Sequence, residues 1–335
     1  MNIQLRHTYQ EIIGLENLLA AWEEFRLGKR DKPDVQAFVR HLLDNIVQLH
    51  EDLANFTYRH GGYKAFAIND PKPRQIHKAS VRDRLLHHVI YRILYPFFDR
   101  TFIADSFSCR VDKGTLNAIE RFQTFGYQVS RNNTRTCWVL KCDIRKFFAN
   151  INHGILLQVL ARYLPDQNIL WLLENVIDSF DTKPGVGLSL GNLTSQLFVN
   201  VYMNEFDQFV KQKMRWKHYI RYADDFAFLS DDRTVLAAML PMVDDYLVAT
   251  LQLQLHPDKV FIKTLASGVD FLGWVHFLNH RVLRTTARWR MMARIKEHGT
   301  PETVQSYLGL LQHGNTYRLE QEVRNAEWLW YNDNN

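Results

Sequence analysis

The chain has 335 residues, 46% apolar and 13% aromatic, which suits two or three domains, or one large fold with subdomains, and excludes a disordered chain. Its three cysteines, Cys109, Cys137 and Cys142, form no C-x-x-C pair, which argues against a disulfide framework or zinc module and for a reducing compartment. The net charge is a modest +5, the first residues lack an apolar signal core, and no uninterrupted apolar run reaches roughly 18 residues, so a cytoplasmic protein without membrane attachment is expected.

The first sixty residues read as helical. Ile12, Leu15, Leu19, Trp22 and Phe25 recur at near-helical spacing, as do Phe38, Leu42, Ile46, Leu49 and Leu53. Residues 59–76 read as a turn, a strand, a Pro-rich turn and a second strand. A helical pattern over 81–98 follows. Residues 72–92 carry Lys72, Arg74, Lys78, Arg82, Arg84 and Arg92 against Asp83 alone, a net +5. Residues 133–144 read as a buried strand, the next two apolar segments as helices, 181–191 as a loop, and the segment to about 213 as a long apolar helix. A hairpin around "YADD" precedes a helix at 233–251, a strand near 258–263, and the strand-like "VDFLGWVHFL". Basic, amphipathic helices close the chain. There Arg281, Arg284, Arg288, Arg290, Arg294 and Lys296 face only Glu297, again +5, and the rest of the chain sums to −5. Two such windows suit a phosphate-rich partner, the alternative being two solvated helix faces. Helices interleaved with few strands indicate an α+β protein.

Asp224 and Asp225 fall at the tip of the hairpin, where a solvated turn is the plain alternative. Asp143 ends the strand "WVLKCD". A carboxylate there is costly unless it binds a cation or pairs with a base such as Arg145 or Lys146. The separation between Asp143 and Asp224 lets a strand and a hairpin lie side by side, with the acids at one edge. Converging hard oxygens suit Mg²⁺, and a pair of such ions suits phosphoryl transfer.

These segments resemble, in order, the motifs of reverse transcriptases. "YADD" (222–225) is similar to the palm hairpin and "CDIRKFF" (142–148) to the segment with the first catalytic aspartate. "GLSLGNLTSQLFVNVYMNEFD" (187–207) resembles the loop and helix that hold primer–template and nucleotide. "LQLQLHPDKVFI" (251–262) and "FLGWVHF" (271–277) resemble the next palm motif and the primer grip. "PKPRQIHKASVRDRLLHHVI" (71–90) and "DSFSCRVDKGT" (105–115) resemble fingers segments. The resemblance implies a right hand: an N-terminal helical extension over 1–65, fingers over 66–136 with part of 160–186, a palm over 137–278 and a thumb over 279–335.

It also implies roles. Asp143 and Asp224 would be the principal ligands of two Mg²⁺ ions, replaceable by Mn²⁺, with Asp225 assisting and the carbonyl of Ile144 completing the site. Lys259 would protonate the leaving pyrophosphate, an ordinary surface lysine being the alternative. Phe148 would be the steric gate against a 2′-hydroxyl, with Phe147 beside it and an ordinary core residue as the alternative for either. Lys72 and Arg74 would hold the triphosphate, Arg82 would join them or contact template, and Leu190, Gly191 and Gln196 would line the nucleotide. Arg84 and the cluster from Arg281 to Lys296, comprising Arg284, Arg288, Arg290 and Arg294, would contact nucleic acid. His87 and His88 fit packing or template contact. The partners would be template RNA, a DNA or RNA primer and dNTPs.

"LSLGNLTSQ" (188–196) has Leu190-Gly191 and Ser195-Gln196 where many relatives have Gln-Gly and Ser-Pro, a pattern similar to reverse transcriptases of diversity-generating retroelements. That subgroup implies a bacterial or phage origin, errors at template adenines, mutagenic retrohoming and a small basic oligomeric partner, the accessory variability determinant. Asn152 departs from it, since many relatives carry Asp there. A retron or phage-defence enzyme, an RNA-dependent RNA polymerase and an inert nucleic-acid-binding scaffold are the alternatives.

Overall fold

The structure, a computed structural model, describes residues 3–68 and 73–334. Helices α1 (Tyr9–Ile13), α2 (Leu15–Phe25), α3 (Pro33–Val39) and α4 (Leu42–Ala54) open the chain. The hairpin β1 (Lys64–Ile68) and β2 (Arg74–Lys78) precedes α5 (Val81–Asp99) and α6 (Gly114–Val129). Then come β3 (Trp138–Asp143), α7 (His153–Ala161), α8 (Gln167–Ile177), α9 (Leu193–Gln208), β4 (Tyr219–Tyr222), β5 (Asp225–Ser230), α10 (Arg233–Leu251) and β6 (Phe261–Thr264). The strands β7 (Val269–Phe271), β8 (Trp274–His276) and β9 (Arg281–Leu283) lead to α11 (Thr285–Glu297), α12 (Pro301–Leu311) and α13 (Tyr317–Asn334).

Two compact units share this order. The first takes the chain up to Arg110, Ile144–Arg215 and Asp244–Leu255; the second takes Val111–Asp143, Trp216–Val243 and the chain from His256.

In the first unit, Thr8 and Glu11 form a capping box at α1, and Gly14, with ψ 143°, stops that helix before α2 begins. The break resets the helical phase. Leu18, Ala21, Trp22 and Phe25 are buried, while Leu15 and Leu19, expected inside, are 41% and 42% exposed. Trp22 stacks on Phe38, and α4 buries Ile46, Leu49 and Leu53. Ser80 caps α5 by accepting from the N–H of Asp83. The buried Asp83 carboxylate accepts from Tyr58 (2.8 Å) and from the Ser80 hydroxyl (2.6 Å), so it is satisfied inside the core. α9 buries residues around its whole circumference and is the central helix of this unit.

The second unit holds an antiparallel sheet of order β4-β5-β3-β6. α6 packs on it through Ala118, Ile119, Phe122, Phe125, Gly126 and Val129. Gly126 is required by close approach, since a Cβ there would sit 2.6 Å from Leu265 Cδ2. A three-stranded sheet, β7-β8-β9, follows. α11–α13 close over a separate core of Met291, Ile295, Val304, Leu308, Leu311, Leu319 and Val323. Among the described residues α10 alone has the length and apolar content to cross a membrane. Its stripe of Leu236, Met239, Val243, Leu247 and Leu251 is buried and Asp244–Asp245 are exposed, as in an amphipathic helix packed on one face.

Candidate active site

The sheet of the second unit delivers the acids. β3 and β5 pair antiparallel with Asp143 opposite Asp225, and β4 pairs with β5 with Tyr222 opposite Asp225. Only Ala223 and Asp224 remain for the turn. Ala223 takes φ +55°, a conformation a non-glycine residue holds only when its surroundings enforce it. Arg221, 1% exposed, donates from Nη1 to the Ala223 carbonyl at 3.1 Å and braces the turn from below.

The pairing partner of Asp143 is Lys259, neither Arg145 nor Lys146, both of which are exposed. Lys259 Nζ donates to Asp143 Oδ1 at 2.9 Å, and the Asp143 carbonyl accepts from the N–H of His256 at 2.7 Å. Lys141, absent from the sequence reading, lies 2.5 Å from Asp225 Oδ1 as an ion pair. That oxygen is buried, and the Lys141 ammonium is the group that satisfies it. Burial pushes the Asp225 carboxyl up to about 6; Lys141 opposes the shift, and the charges of Asp224 and Asp143 add to it.

These residues fit divalent cations by chemistry: the hard carboxylates of Asp143 and Asp225 face each other at paired strand ends, and Asp224 adjoins them in the turn. Among the described residues, no three His, Cys, Asp or Glu side chains are grouped so as to hold a metal ion by themselves. An open donor set suits an ion that keeps water and takes phosphate oxygens.

The first unit carries the candidate nucleotide residues. Ile144 is buried and bridged to Leu255. Lys146 at φ +47° turns the chain into the short helix Phe147–Asn150. Phe147 goes into the core at 3% exposure and belongs to packing, which corrects its expected nucleotide role; Phe148 stays half-buried, edge-on to it. The Phe148 carbonyl accepts from Leu188 N, tying it to the loop with Leu190 and Gly191. Gly191 is dictated twice, by φ +112° and by Ile76 Cγ2, which would lie 2.7 Å from a Cβ. Leu190 O accepts from His77 N at 3.0 Å, joining this loop to the strand that begins with the exposed Arg74. Asn192, also unforeseen, donates to Ser189 Oγ (2.6 Å) and His77 O (3.4 Å), locking the same junction. Gln196 is half-buried on α9, and Lys72 lies outside the described residues.

Many cations of the two basic windows are paired within the fold. Arg82 pairs with Asp52 and lies over the Tyr58 ring, while Arg84 pairs with Asp34 at 2.5 Å and lies over Phe25. Both are paired with acids of the N-terminal helices. His87 is buried against Thr194, and the half-buried His88 lies edge-on to Phe25. In the second window Arg281 is held by the His313 carbonyl and Gln123, and Arg284 by Asp270. Arg288 makes a two-pronged contact with Glu322, and Arg290 donates to the Thr286 carbonyl. Arg294 and Lys296 are exposed. Asn152 caps α7 by accepting from Ile155 N and donates to Gln252, a donation an aspartate could not make.

Residues 68–276, more than half of the chain, match the reverse transcriptase (RNA-dependent DNA polymerase) family. The chain belongs to the reverse transcriptase family. It is 25% identical over 260 residues to protein YkfC of Escherichia coli (strain K12), covering 66% of each chain. It is 26% identical over 155 residues to the putative COX1/OXI3 intron 1 protein of Saccharomyces cerevisiae, covering 43% of this chain and 18% of that one. The chain thus spans less than two thirds of the length of these curated relatives. Among solved structures, apo telomerase from Candida tropicalis aligns at TM-score 0.53 and 11% identity over 81% of this chain and 57% of that one. Telomerase from Candida albicans, solved with the TWJ fragment of telomeric RNA, aligns at TM-score 0.52 and 13% identity over 82% and 55%. This member of the reverse transcriptase family therefore has the mixed helix-and-sheet polymerase fold.

Proposed function

We propose that the chain is an RNA-dependent DNA polymerase that extends a primer on template RNA by divalent-metal nucleotidyl transfer. The observation that carries this reading is the register of β3 on β5, which pairs Asp143 with Asp225 and leaves Asp224 in the turn between β4 and β5. Asp143 and Asp224 are the principal metal-holding residues, with Asp225 and the Ile144 carbonyl in support. When bound, Mg²⁺ supplies activation of the primer 3′-hydroxyl and neutralises charge on the departing pyrophosphate. Lys259 holds its proton at Nζ beside Asp143 and can pass it to that leaving group. We assign Arg74 the role of taking triphosphate oxygens and Phe148 that of excluding a 2′-hydroxyl. In the terms of a right hand, we take 1–65 as the N-terminal extension, 66–136 as fingers, 137–278 as palm and 279–335 as thumb.

We further propose that the enzyme serves a diversity-generating retroelement, working with a basic accessory protein. Leu190 supports this reading: its apolar side chain offers no hydrogen bond to the nascent pair. A lost contact of about 0.5–1.5 kcal/mol relaxes selection roughly twofold to tenfold.

The test is primer extension on a defined RNA with Mg²⁺ and dNTPs, with sequencing of the products and Asp224→Asn as control. We expect Mg²⁺-dependent cDNA with errors concentrated opposite adenine, and a loss of at least about a hundredfold in the variant. Accurate cDNA in the presence of the partner protein would favour a retron or defence role. Absence of cDNA with cognate RNA and partner supplied would leave a nucleic-acid-binding scaffold.

A further inference from the structure

β3 carries a charge where a core strand has little use for one. Lys141 stands between Leu140 and Cys142, both fully buried, and is itself only 7% exposed. Alternation along the strand puts Lys141 and Asp143 on one face, and the register sets Asp143 opposite Asp225. Two carboxylates directly across an antiparallel pair repel each other, and partial burial strengthens the repulsion.

Lys141 answers that repulsion. Its Nζ reaches diagonally to Asp225 Oδ1 at 2.5 Å, and the Phe271 ring lies 5.8 Å away. The residue opposite Lys141 on β5 is Ala227, fully buried. A larger side chain there would take the volume through which the lysine leans toward Asp225. Lys259, the second ammonium, is 45% exposed at its side chain, whereas that of Lys141 is 9% exposed. One counter-charge is at the surface; the other is built into the sheet.

We propose that Lys141 is a positioning residue of the polymerase site: a resident counter-ion that fixes Asp225 at the strand end and reduces the negative charge a divalent cation meets there. The inference rests on reading Asp143, Asp224 and Asp225 as the metal-holding set. With Asp225 engaged by Lys141, the principal ligands are left as Asp143 and Asp224. Removing the ammonium unbalances the metal-free site and makes it a stronger cation binder.

The experiment is thermal unfolding of the full-length protein, stripped with EDTA and then titrated with MgCl₂. The variants are Lys141→Met, Asp225→Asn and the double variant, with Asp143→Asn/Asp224→Asn as the site control. Each single variant of the pair should lower the metal-free Tm by several degrees, and the double variant should recover most of that loss, because removing both partners leaves no unpaired charge. The Mg²⁺ concentration for half of the Tm rise should fall several-fold in Lys141→Met, and Lys141→Arg should restore the wild-type value. If Lys141→Met does not fold, Asp225→Asn against a folded double variant still reports the coupling. Additive losses, or equal Mg²⁺ midpoints in wild type and a folded Lys141→Met, overturn the proposal. A coupled pair with no Mg²⁺ response in the wild type overturns the metal reading itself and reduces Lys141–Asp225 to a structural ion pair.

Discussion

Arg82 and Arg84 on α5 end on aspartates of the N-terminal helices, Asp52 and Asp34, with each guanidinium over an aromatic ring. Lys78 shares Asp34, and Arg92 meets Glu24. On α11, Arg294 and Lys296 end in solvent. The two windows carry the same net charge of +5, yet one is largely spent on holding α2, α3 and α4 against α5 and the other keeps cations at its surface. The difference comes from acids far away in sequence. A window's charge measures its electrostatic footprint only after the pairs it makes in the fold are removed.

The sharpest break of that contrast is Asp34→Ala, which unpairs Lys78 and Arg84 together. These groups lie between exposed and buried, so the loss should be about 1–3 kcal/mol. At about 2–4 °C per kcal/mol, the melting temperature should drop measurably while affinity for a defined RNA stays constant. Weaker RNA binding at unchanged Tm would show that the first window faces nucleic acid after all.

Acid should expose the same window next. Burial, then nearby positive charge, pushes His87 down to about 3 and His88 to about 4. Both are neutral in the fold but take up a proton below about 6.5 once unfolded. Their contribution is therefore complete above about pH 6.5 and is lost progressively as pH falls toward 4. His276, about 4, adds a similar loss in the second unit, so the informative quantity is the difference between wild type and His88→Gln. The variant's Tm should fall less between pH 7 and pH 4.5; parallel curves would remove His88 from the account.

What was legible in the sequence follows the range of the interaction concerned. The hairpin and the end of β3 were readable because alternation and a two-residue turn are local, and they put Asp143, Asp224 and Asp225 at one edge. The burial of Leu18 in place of Leu15 and Leu19 was not, because Gly14 splits one apparent helix into two with different phase. Lys141 was not legible as part of the site, since its reason for being there, Asp225, lies on another strand. Asn192 was hidden for the same reason: its role is set by the backbone of His77. The fates of Arg82 and Arg84 needed Asp52 and Asp34, which only the packing of α3 and α4 near α5 brings within reach.

The smallest effects belong to the second window, and they test the other half of the contrast. Arg294→Ala and Lys296→Ala remove exposed side chains from α11, so each should leave stability within about 0.5 kcal/mol of wild type. If these cations meet phosphates, each removal should cut the salt dependence of binding to a primer–template duplex by about one unit of slope, equally for every sequence. Arg288→Ala differs because its two-pronged contact with Glu322 joins α11 to α13; it should cost some stability as well as any phosphate contact. A salt slope unchanged in Arg294→Ala/Lys296→Ala but reduced in Arg288→Ala would mean that the paired arginine, released from Glu322, is the one that reaches the nucleic acid. Pairing in the free protein would then describe a reserve of charge in both windows, and the contrast between them would become one of how readily each gives up its partner.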